Sequence, residues 1–238
     1  AVKNKGYRLV QTPDLVTAEE VESLIETSWA ARPVVYEEEQ ASTNQTAKML
    51  AEQGASHGTL VVAERQVSGR GRRGRPWHSP KGSGIWMSIL LRPQINPMSA
   101  SMLTLVEAMA VYDAISSRVE GCAIKWPNDI VIDGRKVCGI LTEMSSELDN
   151  IHYVVIGIGI NVNTDDFTED IASVAASMHV ITGAYYKRAE IIADTWKAFE
   201  KYYDLFVQTE NLALMVDAYN QRLVNMDRRV MIEERGHR

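Results

Sequence analysis

The chain is poor in the residues and motifs that mark several common kinds of catalytic site. It has only two cysteines, Cys122 and Cys138, so a disulfide scaffold is excluded and reduced, buried thiols are expected. Its five histidines show no spacing typical of zinc ligands, and no GxxxxGK[ST], GxSxG or HExxH sequence occurs. Chemistry that needs a P-loop, a serine nucleophile elbow or a zinc cage is therefore disfavoured.

Long apolar runs and an excess of positive charge are also missing. The longest apolar stretches, MLTLVEAMAVYDAI and IHYVVIGIGINV, contain polar residues and fall short of the about 18 residues that a membrane span needs. The opening AVKNKGYRL has no apolar core behind its lysines, so no signal peptide is predicted. A formal net charge of −6 argues against general nucleic-acid binding. A cytoplasmic globular protein fits these features.

The chain does contain one strongly basic loop, SGRGRRGRPWHSPKGSG, at residues 68–84. Its four arginines are Arg70, Arg72, Arg73 and Arg75. Glycine lets a backbone approach a ligand closely, and arginine supplies a fork of donors for carboxylate or phosphate. Because the segment occurs once and lies between two predicted strands, it favours a site for an anionic ligand over an RNA-binding tail.

The hydrophobic pattern predicts an α+β fold, in which helices flank a mixed, largely antiparallel sheet. Helices are predicted at 17–30, 42–54, 99–119, 187–208 and 211–222. Strands are predicted at 34–39, 59–65, 85–92, 122–126, 129–134, 135–145 and 151–163. The dipeptide Asp133-Gly134 between two of these strands is a strong hairpin signal, and hairpins make neighbouring strands antiparallel.

The last predicted strand carries an unusual pair of glycines. Alternation along it places Gly157, Gly159 and Asn161 on one face and a nearly continuous apolar set on the other. A bare strip on a central strand gives a flat ligand access to the backbone. The alternative is that the glycines relieve crowding beneath a helix.

The segment IKWPND carries a lysine in a short apolar strand. Lys125 alternates against apolar neighbours, and such a lysine is costly unless it meets an anion or water. The alternative is a surface lysine whose amine reaches solvent. The proline that follows presents Asn128 and Asp129 at the end of the strand, where Asp129 is suited either to holding Mg²⁺ or to capping a turn.

Four motifs together resemble those of biotin protein ligases. They are STN at 42–44, GRGRRGRPW at 69–77, KWPND at 125–129 and GIGIN at 157–161, in the order found in that family. The resemblance implies a catalytic domain related to class II aminoacyl-tRNA synthetases and lipoate ligases. It also implies that biotin and ATP, with Mg²⁺, form biotinyl-5′-adenylate, and that biotin then passes to a lysine of a carrier protein.

The resemblance also implies roles for particular residues. Lys125 and Arg72 are the expected catalytic residues. Those expected to bind biotin are Ser42, Thr43, Asn44, Gln66, Arg70, Gly71, Arg72, Lys125 and Gly157. Those expected to bind the nucleotide are Arg72, Trp77, Lys125, Asn128 and Asn161, and Asp129 is the expected metal ligand.

The same resemblance divides the chain and names its partners. Residues 1–14 resemble the end of a winged-helix wing with its linker, 15–222 the catalytic domain, and 223–238 the start of an SH3-like domain. The sequence thus looks like a piece, cut at both ends, of a bifunctional ligase and repressor. The implied partner is the biotin carboxyl carrier protein of acetyl-CoA carboxylase or a related carboxylase, and operator DNA only for the intact parent.

Other readings of the sequence stay open at this stage. The sequence does not determine the oligomeric state, and a homodimer is one of the alternatives. The alternatives to a biotin ligase are a lipoate or octanoyl ligase or transferase of similar fold, and a biotin-sensing regulator without catalysis.

Overall fold

A computed structural model describes residues 13–169 and 171–229 of the 238-residue chain. Seven strands form one sheet in these residues: β1 Val34–Gln40, β2 Leu60–Gln66, β3 Gly84–Leu91, β4 Cys122–Lys125, β5 Asp129–Ile132, β6 Arg135–Glu147 and β7 Asn150–Asn161. Their order is β1-β2-β3-β7-β6-β5-β4, with β1 and β2 parallel and every other neighbouring pair antiparallel. The predicted α+β fold is confirmed.

Helices cover both faces of this sheet. They are α1 Ala18–Leu24, α2 Thr43–Glu52, α3 Leu103–Ser116, α4 Met178–Thr182, α5 Arg188–Thr209 and α6 Val216–Arg222, with short 3₁₀ turns at Arg72–Gly74 and Pro97–Met102. The larger apolar core lies between the sheet and the pair α3 and α5, while α2 forms a smaller core on the opposite face. Because α2 covers only part of its face, the neighbouring strands on that side are open to a ligand.

Side-chain alternation along β7 follows the prediction. Val154, Ile156, Ile158 and Ile160 point into the larger core, whereas Val155 packs beneath α2. The β5–β6 turn also forms where the sequence predicted it, since Asp133 and Gly134 have φ values of 49° and 80°. Positive φ at both central residues is the requirement of a type I′ hairpin turn.

Several predicted helices are shorter in the structure. The one expected at 99–119 starts as the 3₁₀ turn Pro97–Met102 and continues as α3 only to Ser116. The first was expected to reach residue 30, but α1 ends at Leu24 because the chain at 28–30 turns back toward α5. The carboxylate of Glu200 on α5 accepts hydrogen bonds from three successive backbone amides there, at 2.8 to 3.0 Å. The last helix begins at Val216 rather than at residue 211, since Asn211 Oδ1 accepts from the amide of Ala213 in a local turn.

The segment Pro97–Ser116, which contains α3, is long and apolar enough to cross a membrane by length and composition alone. In the structure it packs against both the sheet and α5, as the core helix of a globular protein does. The predicted segments 1–14 and 223–238 lie largely outside the described residues and stay predictions.

Candidate active site

A cavity of about 440 Å³ opens on the face of the sheet that α2 only partly covers. Its walls are the start of α2, the arginine loop at 68–84, and strands β5, β6 and β7. The predicted site residues that line it are Ser42, Thr43, Asn44, Gln66, Arg70, Gly71, Arg72, Trp77, Asn128, Asp129 and Gly157. Lys125 and Asn161 are the two predicted site residues that do not. The fold therefore brings together residues that are up to 115 positions apart in sequence, from Ser42 to Gly157.

One end of the cavity is polar and uncharged. Thr43 and Asn44 begin α2 and are buried, and Ser88 of β3 lies beneath them. Ser88 Oγ lies 2.7 Å from Thr43 Oγ1 and 2.6 Å from Asn44 Oδ1. Gln66 Oε1 accepts from the backbone amide of Thr43 at 2.8 Å. Such a connected set of neutral donors and acceptors suits a small polar ring.

The other end of the cavity is cationic. The four loop arginines and Lys136 line it, whereas Asp129 is its one carboxylate among the described residues. No described carboxylate lies within ion-pairing distance of any of these four arginines. Five cations facing one anion make this end electrostatically attractive to carboxylate and phosphate groups.

The arginine loop is folded as an irregular hairpin. The amide of Gly71 donates to the carbonyl of Arg75 at 2.8 Å, and the amide of Trp77 donates to Gly69 at 2.9 Å. At the tip, Arg72 Nη1 donates to Asn128 Oδ1 across the cavity at 3.2 Å. The side-chain Nδ2 of Asn128 donates in turn to the carbonyl of Ile140 in β6 at 3.0 Å, so Asn128 connects the loop to the sheet.

Three glycines in the floor of the cavity, Gly139, Gly157 and Gly159, form what we call the glycine strip. A Cβ on Gly157 would lie 2.0 Å from Asn44 Oδ1, and one on Gly159 would lie 2.4 Å from Trp77 Nε1. Side chains of Asn44 and Trp77 therefore lie directly on the strip. Both distances are too short for a Cβ unless the neighbouring side chain moves, so glycine permits the close approach of Asn44 and Trp77.

Lys136, which the sequence analysis did not single out, is the lysine that lines the cavity. Its Nζ lies 2.6 Å from Asp129 Oδ1 and 5.1 Å from the centroid of the Trp77 ring. The backbone of Lys136 also holds the segment 174–176, since its amide donates to Val174 and its carbonyl accepts from Ala176. Lys136 thus carries the positive charge that we had expected from Lys125.

A β-bulge brings Lys136 to this face. Ile130 pairs with Cys138, but Val131 pairs with Lys136, which leaves Val137 as the extra residue. A bulge shifts the alternation of side chains by one position. Lys136 consequently faces the glycine strip, while Val137 points into the core. The Asp133-Gly134 signal in the sequence predicts the hairpin, but no residue near it predicts the bulge.

Lys125 lies on the predicted face but at the edge of the sheet. The cross-strand register runs from Gly159 through Gly139 and Asp129 to Lys125, so the four residues share one row. Three strand spacings of about 4.8 Å separate Lys125 from Gly159. Lys125 is exposed and does not line the cavity. This placement does not support the expected bridge from Lys125 to two anions, and Lys136 takes the position instead.

Asn161 is buried beside the site rather than in it. Its side-chain amide donates to the carbonyl of Ala176 at 3.3 Å, and the amide of Ala176 donates to the carbonyl of Lys136 at 2.9 Å. Asn161 therefore supports the segment that borders Lys136. Because Asn161 does not line the cavity, this arrangement does not support the expected direct contact between Asn161 and a nucleotide.

Comparison with known protein families places this chain among proteins of known kind. The model of the Biotin/lipoate A/B protein ligase family matches residues 36–161, from β1 to the end of β7. The chain belongs to this family. The start of α2, the arginine loop and strands β5, β6 and β7, which form the cavity walls, lie within that span.

Individual ligases of the family share much of the chain. A protein named bifunctional ligase/repressor BirA from Bacillus spizizenii is 44% identical over 206 residues, which are 85% of this chain and 63% of the relative. A biotin--[acetyl-CoA-carboxylase] ligase from Paracoccus denitrificans is 43% identical over 124 residues, 51% of each chain. This chain thus spans less than two thirds of the length of the Bacillus relative.

A solved structure of the family has the same fold. Biotin protein ligase from Aquifex aeolicus, in complex with biotin and ATP, superimposes with a TM-score of 0.70 at 31% identity. The match covers 80% of this chain and 78% of the Aquifex chain.

Proposed function

We propose that the protein is an ATP-dependent ligase that activates biotin as biotinyl-5′-AMP and transfers the biotinyl group to a lysine of a biotin carboxyl carrier protein. The observation that carries the proposal is the division of one cavity into a neutral polar end and a cationic end. A ureido ring suits the first, and a carboxylate with a triphosphate suits the second. The biotin ligases among the relatives and solved structures support the same function.

The first half-reaction needs positioning and charge rather than a protein nucleophile. A biotin carboxylate oxygen attacks the α-phosphorus of ATP, a new P–O bond forms, and the bond to the β-phosphate breaks to release pyrophosphate. Two anions must approach each other, so the barrier falls when fixed cations surround them. Arg70, Arg72 and Lys136 are the side chains that we assign to this role.

Trp77 is the residue that we assign to cover the reacting groups. Its indole lies on the glycine strip, at the boundary between the two ends of the cavity. Exclusion of water there would protect the mixed anhydride from hydrolysis. Gln66 and Gly71, which line the cavity on the loop side, are assigned to contact biotin or the adenylate.

Asp129 is the residue that would hold Mg²⁺. No group of three or more potential ligands from His, Cys, Asp and Glu is found in the described residues. Mg²⁺ commonly binds through one or two carboxylates together with substrate phosphates, so a single carboxylate beside a phosphate site fits this ion. When bound, the ion would neutralise charge on the phosphate oxygens.

In the second half-reaction the acceptor is an amine. The lysine of the carrier protein attacks the carbonyl carbon of the anhydride, an amide bond forms, AMP leaves, and the amine loses a proton to solvent. The cavity opens to the surface on the side of the exposed arginine loop, which gives a carrier lysine access. We infer that the carrier belongs to acetyl-CoA carboxylase or a related carboxylase, and that the reaction takes place in the cytoplasm.

A lipoate or octanoyl ligase is the second candidate, because the family model covers both biotin and lipoate enzymes. The neutral end of the cavity favours biotin, since a dithiolane ring offers no hydrogen-bond donors to it. Incubation with ATP, Mg²⁺ and either biotin or lipoate, followed by mass spectrometry of the adenylate, distinguishes the two. Biotinyl-AMP alone is the expected product, and lipoyl-AMP alone would contradict the proposal.

Repression belongs to the Bacillus relatives by name, and this chain spans only part of their length. We propose that a longer parent protein binds operator DNA, and that the residues described here supply its ligase activity. Equilibrium binding of the full-length protein to operator DNA, with and without biotin and ATP, tests this role. Sedimentation of the same samples determines whether a homodimer forms.

A further inference from the structure

Glu143 lies in β6 behind the neutral end of the cavity and contacts Asn44. Glu143 Oε2 accepts from Asn44 Nδ2 at 2.7 Å, and Oε1 accepts from Lys48 Nζ at 2.5 Å. Burial by itself would raise the pKa of Glu143, but hydrogen bonds from Lys48 and Asn44, and the positive charges of Lys48 and Arg70, outweigh it and lower that pKa. Glu143 is therefore an ionised carboxylate at neutral pH and can only accept hydrogen bonds.

An acceptor-only partner determines how the amide of Asn44 is oriented. Asn44 must present Nδ2 to Glu143, so Oδ1 points toward Ser88 and Gly157. The hydroxyl of Ser88, at 2.6 Å from Oδ1, must then donate to it. Its lone pairs are left to accept from Thr43 Oγ1, at 2.7 Å.

The opposite end of this chain of hydrogen bonds is fixed by a group that can only donate. The backbone amide of Thr43 donates to Gln66 Oε1 at 2.8 Å, which directs Gln66 Nε2 toward Ser79 Oγ at 2.9 Å. The same Gln66 Oε1 lies 3.1 Å from Thr43 Oγ1. Thr43 has a single hydroxyl proton, which it donates to Ser88, so the backbone amide of Thr43 alone orients Gln66. Each of the two side-chain amides thus has only one orientation that satisfies its fixed partner.

A ligand in the neutral end consequently meets acceptors. Asn44 Oδ1 has a second lone pair beyond the one that Ser88 uses, and the buried hydroxyl of Ser42 has no hydrogen-bond partner among the described residues. Both suit the N–H groups of a cyclic urea. If Asn44 rotated by 180° about its last side-chain bond, its NH₂ group would face those N–H groups and repel them.

We propose that Glu143 is a positioning residue that sets ligand specificity by fixing the orientation of the Asn44 amide. The inference rests on the proposed biotin ligase function and goes further, since it assigns discrimination between a ureido ring and a donor-free ring to a carboxylate outside the cavity lining. Lys48 supports Glu143 in that role. Neither residue touches the ligand.

The test compares Glu143→Gln with Glu147→Gln, a matched control on the same strand whose side chain is 84% exposed. Glutamine at 143 can donate as well as accept, so Asn44 loses its fixed orientation. Biotin-dependent pyrophosphate exchange by Glu143→Gln should show a KM for biotin raised about tenfold or more, with kcat within about twofold of wild type. Lipoate, which has no N–H donor, should inhibit wild-type protein and Glu143→Gln equally. The ratio of the lipoate Ki to the biotin KM should therefore fall in Glu143→Gln by the same factor as the biotin KM rises.

The outcomes separate the inference from the proposed function. A biotin KM within about twofold of wild type in Glu143→Gln, or an equal loss in Glu147→Gln, would overturn the positioning role. An equal weakening of biotin and lipoate, or a lower kcat at unchanged KM, would indicate a general structural effect and overturn it too. If Glu143→Gln does not fold, Lys48→Gln is the second variant, with a smaller rise in the biotin KM expected and no rise refuting the inference. Wild-type protein that forms no biotinyl-adenylate would remove the proposed function and this inference with it.

Discussion

Replacement of Lys136 by glutamine tests how the cationic end of the cavity works. The change keeps most of the side-chain length and the ability to donate hydrogen bonds, but it removes the charge. Lys136 Nζ lies 2.6 Å from Asp129 Oδ1, so its loss has two effects: an attractive charge disappears, and the carboxylate of Asp129 is left to repel the incoming anions. Both raise the barrier to adenylate formation.

The magnitude follows from the geometry. Two unit charges about 4 Å apart interact by about 4 kcal/mol at an effective dielectric constant near 20. Removal of one preorganised electrostatic group from an active site costs about 10²–10³ in rate. We therefore expect kcat for adenylate formation by Lys136→Gln to fall by about 10²–10³. Pyrophosphate release at saturating biotin and ATP is the measurement.

A matched control variant completes this experiment. Lys125→Gln is the matched control, because Lys125 shares the sheet face but lies exposed on the edge strand. It should keep its rate within about threefold of wild type, as expected for an exposed charge. Near-normal turnover in Lys136→Gln, or a comparable loss in Lys125→Gln, would refute the assignment.

Three other predictions concern the site and the core. Arg72→Ala, which removes the contact to Asn128, should weaken retention of biotinyl-adenylate by about 1.5–3 kcal/mol without lowering the thermal midpoint of the free protein. Calorimetry measures the midpoint, and the rate of adenylate release measures retention. A lower midpoint with unchanged adenylate release would contradict the role. Gly157→Ala should displace the side chain of Asn44 and raise the KM for biotin, and a crystal structure with Asn44 unmoved would contradict that reasoning. Glu107 is fully buried, and neither of its carboxylate oxygens has a hydrogen-bond partner in the part of the chain that the structure describes. Burial raises its pKa well above the ordinary 4.5, so its contribution to stability falls as pH rises from about 4.5 toward the folded-state pKa. Glu107→Met should therefore stabilise the fold by about 1–3 kcal/mol at pH 7 and by less at pH 5, as measured by urea unfolding, and an equal gain at both pH values would contradict this explanation.

Local signals in the sequence predicted most of the secondary structure and most of the site. The alternation of Val155, Gly157 and Gly159 against isoleucines is a property of the strand itself, so both faces of β7 were predictable before any partner strand was known. Capping and turn residues act over three or four positions, which is why the Asp133-Gly134 turn was found. The motifs likewise indicated the arginine loop and the start of α2.

What the sequence could not predict depended on partners distant along the chain. α1 ends early because Glu200, more than 170 residues away, binds the backbone amides at 28–30. Glu143 was overlooked for the same reason, since its role depends on contacts with Asn44 and Lys48 of α2, which are about 100 positions away in the sequence. Nothing in the residues next to Glu143 indicates those contacts.

The two lysines show this difference most directly. Alternation in the sequence placed Lys125 on the correct face, and the register confirms that face. Strand order, however, put β4 at the edge of the sheet, and the extra residue Val137 turned Lys136 toward the glycine strip. Side-chain direction within a strand is a local property of an extended backbone, and the sequence determines it. The position of a strand in the sheet and the place of a bulge depend on pairing between distant segments, and only the tertiary structure decides them.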